Sequence, residues 1–157
     1  FSISASENLP FPDKVLNRIA IIDIGSNSVR MVVFDAPVRL PIPIFNERVI
    51  CGLGKGIGKS GKLNKEGVEL AFLALDRFCA LAREMNVEQF RMVATAAVRD
   101  SSDGSDFVDT IADRCGSQVE VLSGREEARL GAAGILGGLP QAKSFPAGLR
   151  KPFLKTC

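Results

Sequence analysis

The chain has 157 residues, of which 46% are hydrophobic and 24% are charged, so it can form one globular domain with a substantial core. Its net charge of +2 and aromatic content of 6% argue against a nucleic-acid partner, and no apolar run approaches the roughly 20 residues of a membrane span. Histidine is absent, which excludes Ser-His-Asp and Cys-His catalysis and leaves carboxylates as the candidate acid–base groups near pH 7.

Three strands are predicted in the first third of the chain. Residues 18–24 (RIAIIDI) and 28–36 (SVRMVVFDA) are runs rich in β-branched residues, and only the tripeptide GSN separates them. So short a connection predicts an antiparallel hairpin. Residues 44–51 (IFNERVIC) form the third predicted strand, after a stretch that prolines interrupt.

Helices and strands alternate in the remainder of the chain. Asn64 is the predicted N-cap of a long helix, because apolar residues recur after it at helical spacing. The elements expected next are a strand at 89–97, a helix at 104–115, a strand at 118–122 and a helix from 123 to about 136. Strands connected through helices are usually parallel. The prediction is an α/β fold with a mixed five-stranded sheet in the order βββαβαβα.

The cysteines indicate a cellular compartment. Cys51, Cys79, Cys115 and Cys157 are widely spaced and form no Cys-x-x-Cys pair. This spacing predicts free thiols in a reducing environment. The first residues also lack the basic-then-apolar layout of a secretory signal, so a cytoplasmic location is expected.

A glycine- and lysine-rich segment, CGLGKGIGKSGK (51–62), raises the question of a phosphate-binding loop. The nucleotide-hydrolase pattern needs its opening glycine at position 53, which is Leu53, and Gly52 lies one residue too early. The segment joins the third predicted strand to the long helix. A connecting loop is therefore favoured over a phosphate site.

The turn of the first hairpin is a stronger candidate. Asp23 ends a strand and is followed by glycine and small polar residues as far as Ser28. Backbone N–H groups and hydroxyls in such a turn can hold a phosphate, while a carboxylate beside them can hold Mg²⁺ or its water shell. The same residues also suit an ordinary polar hairpin turn, and on these residues alone both interpretations stand.

Two later segments add charged groups. Arg99, in ATAAVRD, lies just past a predicted strand end, where open α/β sheets bind ligands. Ser123 and Glu126 fit a capping box at the start of the last helix. Glu127 is about 100° further round that helix, is not needed for the cap, and is free to point into a cleft.

These segments together resemble the exopolyphosphatase and guanosine pentaphosphate phosphatase family of the actin-like ATPase superfamily. The resemblance rests on DIGSNSVRM, the LGKGI…GKL loop, ATAAVRD and above all VLSGREEARL, in order between about residues 18 and 140. It implies an actin-like ATPase (ribonuclease H-like) half, one of two duplicated halves around a phosphate-binding cleft. It also implies that the 51–62 segment is the family's connecting loop.

The resemblance assigns a role to each matching residue. Asp23 matches the acidic residue near the magnesium ion, which makes Mg²⁺ the implied cofactor. Arg99 matches an arginine that binds substrate phosphate, and Glu127 matches the catalytic base that activates water. Arg30 lies where the family often has a basic residue near the cleft. The residues that match the loop contacting the terminal phosphate are Gly25, Ser26, Asn27 and Ser28.

The implied reaction is hydrolysis of the terminal phosphoanhydride bond of inorganic polyphosphate or of guanosine pentaphosphate. Full-length relatives are expected to form homodimers, and neither nucleic acid nor a membrane is an expected partner. An actin-like ATPase or sugar-kinase half is the alternative enzyme. A phosphate-binding fragment without activity is the non-enzymatic alternative.

The end of the sequence departs from the family pattern. A second phosphate loop of the type Asp-x-Gly-Gly-Gly-Ser should follow the SGREEAR helix. Residues 141–157 instead read QAKSFPAGLRKPFLKTC, with four basic residues and no acidic one. We therefore predict an N-terminal extension at 1–17, the family domain at 18–140 and an atypical, disordered tail at 141–157. The chain alone is expected to be weakly active or inactive.

Overall fold

The structure, a computed structural model, describes residues 17–36 and 42–132. Apart from Asn17, which begins the first strand, the predicted extension at 1–17 lies outside the described residues, as does the predicted tail at 141–157. The strands are β1 (Asn17–Ile24), β2 (Ser28–Ala36), β3 (Ile42–Ile50), β4 (Val87–Ala94) and β5 (Val119–Val121). The helices are α1 (Ile57–Ser60), α2 (Lys65–Glu84), α3 (Ala96–Asp100), α4 (Gly104–Cys115) and α5 (Gly124–Ala132).

The five strands form one mixed sheet in the spatial order β3-β2-β1-β4-β5. The pairs β1–β2 and β2–β3 are antiparallel, and the pairs β1–β4 and β4–β5 are parallel. The predicted hairpin and mixed sheet are confirmed. The helices that connect β3, β4 and β5 allow the chain to return and add each later strand in parallel.

The two faces of the sheet follow from the alternation of side chains along each strand. In β1, Ala20, Ile22 and Ile24 belong to the main core with apolar residues of α2 and α4. Ile21 faces the other way, in a smaller cluster on the opposite face. On that opposite face, Leu130 of α5 packs with Val93 of β4 and with Leu122. The sheet is therefore covered by α2 and α4 on one face and by α5 over part of the other.

The start of α2 is held as the sequence predicts. The Oδ1 atom of Asn64 accepts a hydrogen bond of 2.8 Å from the N–H of Gly67, which satisfies one of the free donors of the helix. Gly67 also needs to be glycine because an added Cβ would lie 2.8 Å from the carbonyl oxygen of Cys51. This close approach docks α2 onto the segment that follows β3.

The prediction of a strand at 89–97 is wrong at its end. Strand β4 stops at Ala94, whose partner Ile24 is the last residue of β1, so no neighbouring strand remains to pair with later residues. The sequence AAVRD that follows forms the short helix α3, in keeping with the high helix propensity of alanine. Arg99 consequently lies on α3 rather than directly after a strand.

The prediction of free thiols is wrong for two of the four cysteines. Cys79 of α2 and Cys115 of α4 form a disulfide with their Cα atoms 5.8 Å apart. Both belong to the main core, where α2 and α4 pack on the same sheet face. Cys51 is a buried free thiol, and Cys157 lies outside the described residues. None of the helices in the described ranges is both long and apolar enough to cross a membrane.

Candidate active site

An open cleft of about 690 Å³ lies where β1 and β4 end and α5 begins. The carboxyl ends of parallel strands are the usual ligand-binding edge of an open α/β sheet. The cleft brings together predicted site residues from the hairpin turn and from the last helix. Its lining residues are Asp23, Gly25, Ser26, Thr95, Gly124, Glu127, Ala128 and Gly131.

The hairpin turn presents backbone donors at the mouth of this cleft. The N–H of Gly25 donates to the carbonyl oxygen of Ser28 at 2.9 Å and closes the turn. Between them, Ser26 and Asn27 are exposed, and no acceptor within residues 17–36 and 42–132 takes a hydrogen bond from either backbone N–H. Two adjacent free N–H groups of this kind are suited to an anion.

The glycine- and lysine-rich segment supports this turn from behind. The N–H groups of Cys51 and Gly52 both donate to the carbonyl oxygen of Asn27 at 2.9 Å. The N–H of Gly54 donates to the carbonyl oxygen of Ser26 at 2.8 Å, and a Cβ at Gly54 would lie 3.2 Å from the Cβ of Ser26. The segment joins β3 to α2, as predicted, and its first glycines let it pack closely against the turn.

The two adjacent glutamates of α5 have different surroundings. The Oε2 atom of Glu126 accepts from the backbone N–H of Ser123 at 2.9 Å and from its hydroxyl at 2.7 Å. The N–H of Glu126 donates in return to the Ser123 hydroxyl at 3.3 Å. The predicted capping box is confirmed, and these hydrogen bonds lower the pKa of Glu126. Glu127 takes no part in the cap and lines the cleft.

Arg99 connects α3 to the start of α5. Its Nη1 atom donates to the carbonyl oxygen of Leu122 at 2.9 Å and to Oε2 of Glu127 at 3.4 Å. Its Nε and Nη2 atoms donate to the two carboxylate oxygens of Asp100. The carboxylates of Asp100 and then of Glu127 raise the pKa of Arg99, so the guanidinium group stays charged beside the cleft.

Asp23 is the second carboxylate of the cleft. Its pKa is raised, first by burial and then by the negative charge of Glu127, while Arg30 and Arg48 act in the opposite direction. Two carboxylates that repel each other across a cleft form a favourable environment for a cation with oxygen ligands. Within the described ranges no three His, Cys, Asp or Glu side chains form a ready-made metal site.

Arg30 lies beside the cleft rather than among the residues that line it. It is the cross-strand partner of Asp23 in the β1–β2 register, and its Nε donates to Oδ1 of Asn46 at 2.9 Å. Sequence reasoning missed Thr95, a nearly buried cleft residue, and Arg48. Thr95 could have been found had the end of β4 been placed correctly, whereas Arg48 becomes visible only when the β2–β3 register is known.

Comparisons with known proteins agree on one family. The model of the Ppx/GppA phosphatase family matches residues 31–145. Exopolyphosphatase 2 of Mycobacterium tuberculosis is 34% identical over 136 residues, covering 81% of this chain and 43% of that protein.

Solved structures give the same result. The crystal structure of an Aquifex aeolicus Ppx/GppA family member aligns with a TM-score of 0.71 and 29% identity, over 76% of this chain and 40% of that chain. An exopolyphosphatase from Cytophaga hutchinsonii aligns with a TM-score of 0.68 and 33% identity, over 72% and 36% respectively. The chain thus spans less than half the length of these relatives.

Proposed function

The chain belongs to the Ppx/GppA phosphatase family, whose solved members have the actin-like ATPase fold, and from this premise we propose that its cleft is one wall of an exopolyphosphatase-type active site. One observation carries the proposal. The carboxylate of Glu127, the carboxylate of Asp23 and the free N–H groups of the hairpin turn all meet at a single cleft. The carboxylate of Glu127 is a base and the N–H groups of the turn bind anions, and hydrolysis of a phosphoanhydride needs both kinds of group.

In the proposed reaction, water attacks the terminal phosphoryl group and the carboxylate of Glu127 takes the proton from that water. The bridging P–O bond to the next phosphate breaks, so that inorganic phosphate and the chain shortened by one phosphate leave. The N–H groups of Ser26 and Asn27 and the guanidinium group of Arg99 bind phosphoryl oxygens and stabilise the negative charge that accumulates there. Arg99 is 3.4 Å from Glu127, so it can hold a phosphate oxygen close to the base. That contact would align the phosphorus atom with the attacking water.

We further propose that Asp23 holds Mg²⁺, directly or through the water shell of the ion. Mg²⁺ is usually bound by one or two carboxylates together with substrate phosphates. The cleft matches this, because Asp23 and Glu127 are the acids that line it among residues 17–36 and 42–132. The ion would supply positive charge against the phosphate chain. Asp23 is suited to this role because burial and the charge of Glu127 both disfavour its ionised form without a nearby cation.

Polyphosphate is the proposed substrate, with guanosine pentaphosphate as the alternative. The relatives in the comparison are named exopolyphosphatases, and the described lining of the cleft includes no aromatic side chain on which a guanine base could stack. A phosphate-binding role without turnover is the outcome expected for a chain that forms only one wall. The homodimer and the cytoplasmic location stay predictions.

The test compares the two neighbouring glutamates in the chain joined to the C-terminal remainder of a related exopolyphosphatase. Glu127→Gln should reduce phosphate release from polyphosphate by about 10²–10⁴-fold, the usual contribution of a positioned general base. Glu126→Gln is the matched control, because glutamine still closes a capping box and turnover should persist. Should Glu126→Gln abolish turnover while Glu127→Gln retains it, the assignment of the base is wrong.

A second comparison tests the phosphate contacts. Arg99→Ala should weaken substrate binding or turnover more than the double change of Lys55 and Lys59 to alanine, since both lysines are exposed in the connecting segment. The unextended chain should release little or no phosphate. If the double lysine variant loses more substrate binding or turnover than the Arg99 variant, the phosphate site lies in the 51–62 segment instead.

A further inference from the structure

Four residues lie in one row across the sheet, on the face that carries the cleft. Asp23 pairs with Val93 of β4 on one side and with Arg30 of β2 on the other, and Arg30 pairs in turn with Arg48 of β3. Directly opposed residues of neighbouring strands share a face of the sheet. With strands spaced about 4.8 Å apart, Arg48 lies roughly 10 Å from Asp23, towards the edge strand.

One end of this row is covered by apolar side chains, and the other end is accessible to solvent. At the covered end, Val93 packs with Leu122 and with Leu130 of α5, so Val93 itself is closed off by apolar side chains. At the other end Arg30 is half-buried and Arg48 is exposed. An extended anion whose terminal phosphate lies at the hairpin turn can therefore contact positively charged side chains if it runs across β2 and β3.

The arrangement of the two arginines is itself informative. Like charges placed directly opposite each other on neighbouring strands destabilise a sheet. Glu47, next to Arg48 in sequence, points to the other face and pairs there with Arg77 of α2, so it does not neutralise Arg48. Arg30 and Arg48 both act on Asp23, which places their positive field at the cleft. A bound anion would convert their mutual repulsion into two attractive contacts.

We propose that Arg48, together with Arg30, forms an outer phosphate subsite that holds the inner part of a polyphosphate chain as it leaves the cleft. This inference rests on the proposed function and extends it: the site would favour long phosphate chains over short ones. Arginine suits this task because its planar group can bind two phosphate oxygens at once.

The experiment measures the affinity of the chain for two ligands by calorimetry with Mg²⁺ present. Long-chain polyphosphate can reach from the turn to Arg48, whereas pyrophosphate is too short to reach both. Arg48→Gln should weaken binding of long-chain polyphosphate by about three- to tenfold, the effect of losing one exposed charge-assisted contact, and leave pyrophosphate binding unchanged. Arg48→Lys should retain part of the affinity, and thermal melts establish that each variant is folded.

Arg77→Gln is the matched control, because it removes the same charge from the opposite face of the sheet. If the Arg48 and Arg77 variants lose equal affinity for long-chain polyphosphate, the loss reflects overall charge and the proposed subsite is wrong. An Arg48→Gln variant that binds long chains like the parent protein would overturn it too.

Arg99→Ala separates the two proposals, since it should weaken both ligands. If the Arg99 variant binds normally while Arg48→Gln loses long-chain affinity, the outer subsite stands and the proposed phosphoryl site fails. If the parent protein binds neither ligand, both proposals are wrong.

Discussion

Helices α3 and α4 pack closely at Gly104, and this contact gives a specific prediction. A Cβ added at Gly104, the first residue of α4, would lie 1.9 Å from the carbonyl oxygen of Val98 in α3, whereas ordinary contact begins near 3.4 Å. The obstructing atom belongs to the backbone, so no side chain can turn away. Gly104→Ala must therefore push α3 and α4 apart.

The expected cost is that of an overpacked interior, about 1–3 kcal/mol. For a protein of this length each kcal/mol corresponds to roughly 2–4 °C, so the melting temperature should fall by roughly 2–12 °C. Arg99 follows Val98 on α3 and is held to the carbonyl oxygen of Leu122 at 2.9 Å. A displaced α3 should lengthen that contact and also weaken phosphate binding.

Thermal denaturation followed by circular dichroism measures the effect. Gly58→Ala is the control, because Gly58 lies in the exposed helix α1 and an added Cβ there meets nothing within 4 Å. The control should melt at or slightly above the parent temperature, since alanine favours a helix over glycine. A Gly104→Ala variant that melts with the parent protein would refute the packing argument.

Three further predictions concern charge, capping and the disulfide. Burial raises the pKa of Asp23 above 3.8, so ionisation of this carboxyl destabilises the fold as the pH rises through the raised pKa. Asp23→Asn should therefore raise the melting temperature at pH 7 but not below pH 3.8. An equal gain in melting temperature at both pH values would contradict this. Ser123→Ala should destabilise the chain by about 0.5–2 kcal/mol in urea titrations, and Ser123→Asp should not, since aspartate also caps helices. Reduction of Cys79–Cys115, which are 36 residues apart in sequence, should cost about 2–4 kcal/mol; identical melts with and without a reductant would exclude the disulfide.

Local chemistry made much of this protein predictable from its sequence. The hairpin follows from two β-branched runs separated by three residues, and the caps at Asn64 and Ser123 follow from side chains that reach the backbone within one turn. Glu127 could be distinguished from Glu126 because the capping box uses one residue and the helical repeat turns the next away. In each case all the interacting groups lie within a few residues of one another, so their spacing is readable in the printed chain.

Tertiary structure alone decided the remaining features. Strand β4 ends at Ala94 because β1 ends opposite it, and Cys79 meets Cys115 because α2 and α4 pack side by side on one sheet face. The hydrogen bonds that support the hairpin turn are donated by residues 51–54, which are separated from the turn in sequence by strands β2 and β3. Arg48 enters the site's electrostatics only through the register of β2 and β3. These contacts join residues far apart in sequence, and only the folded arrangement determines which of the many possible partners meet.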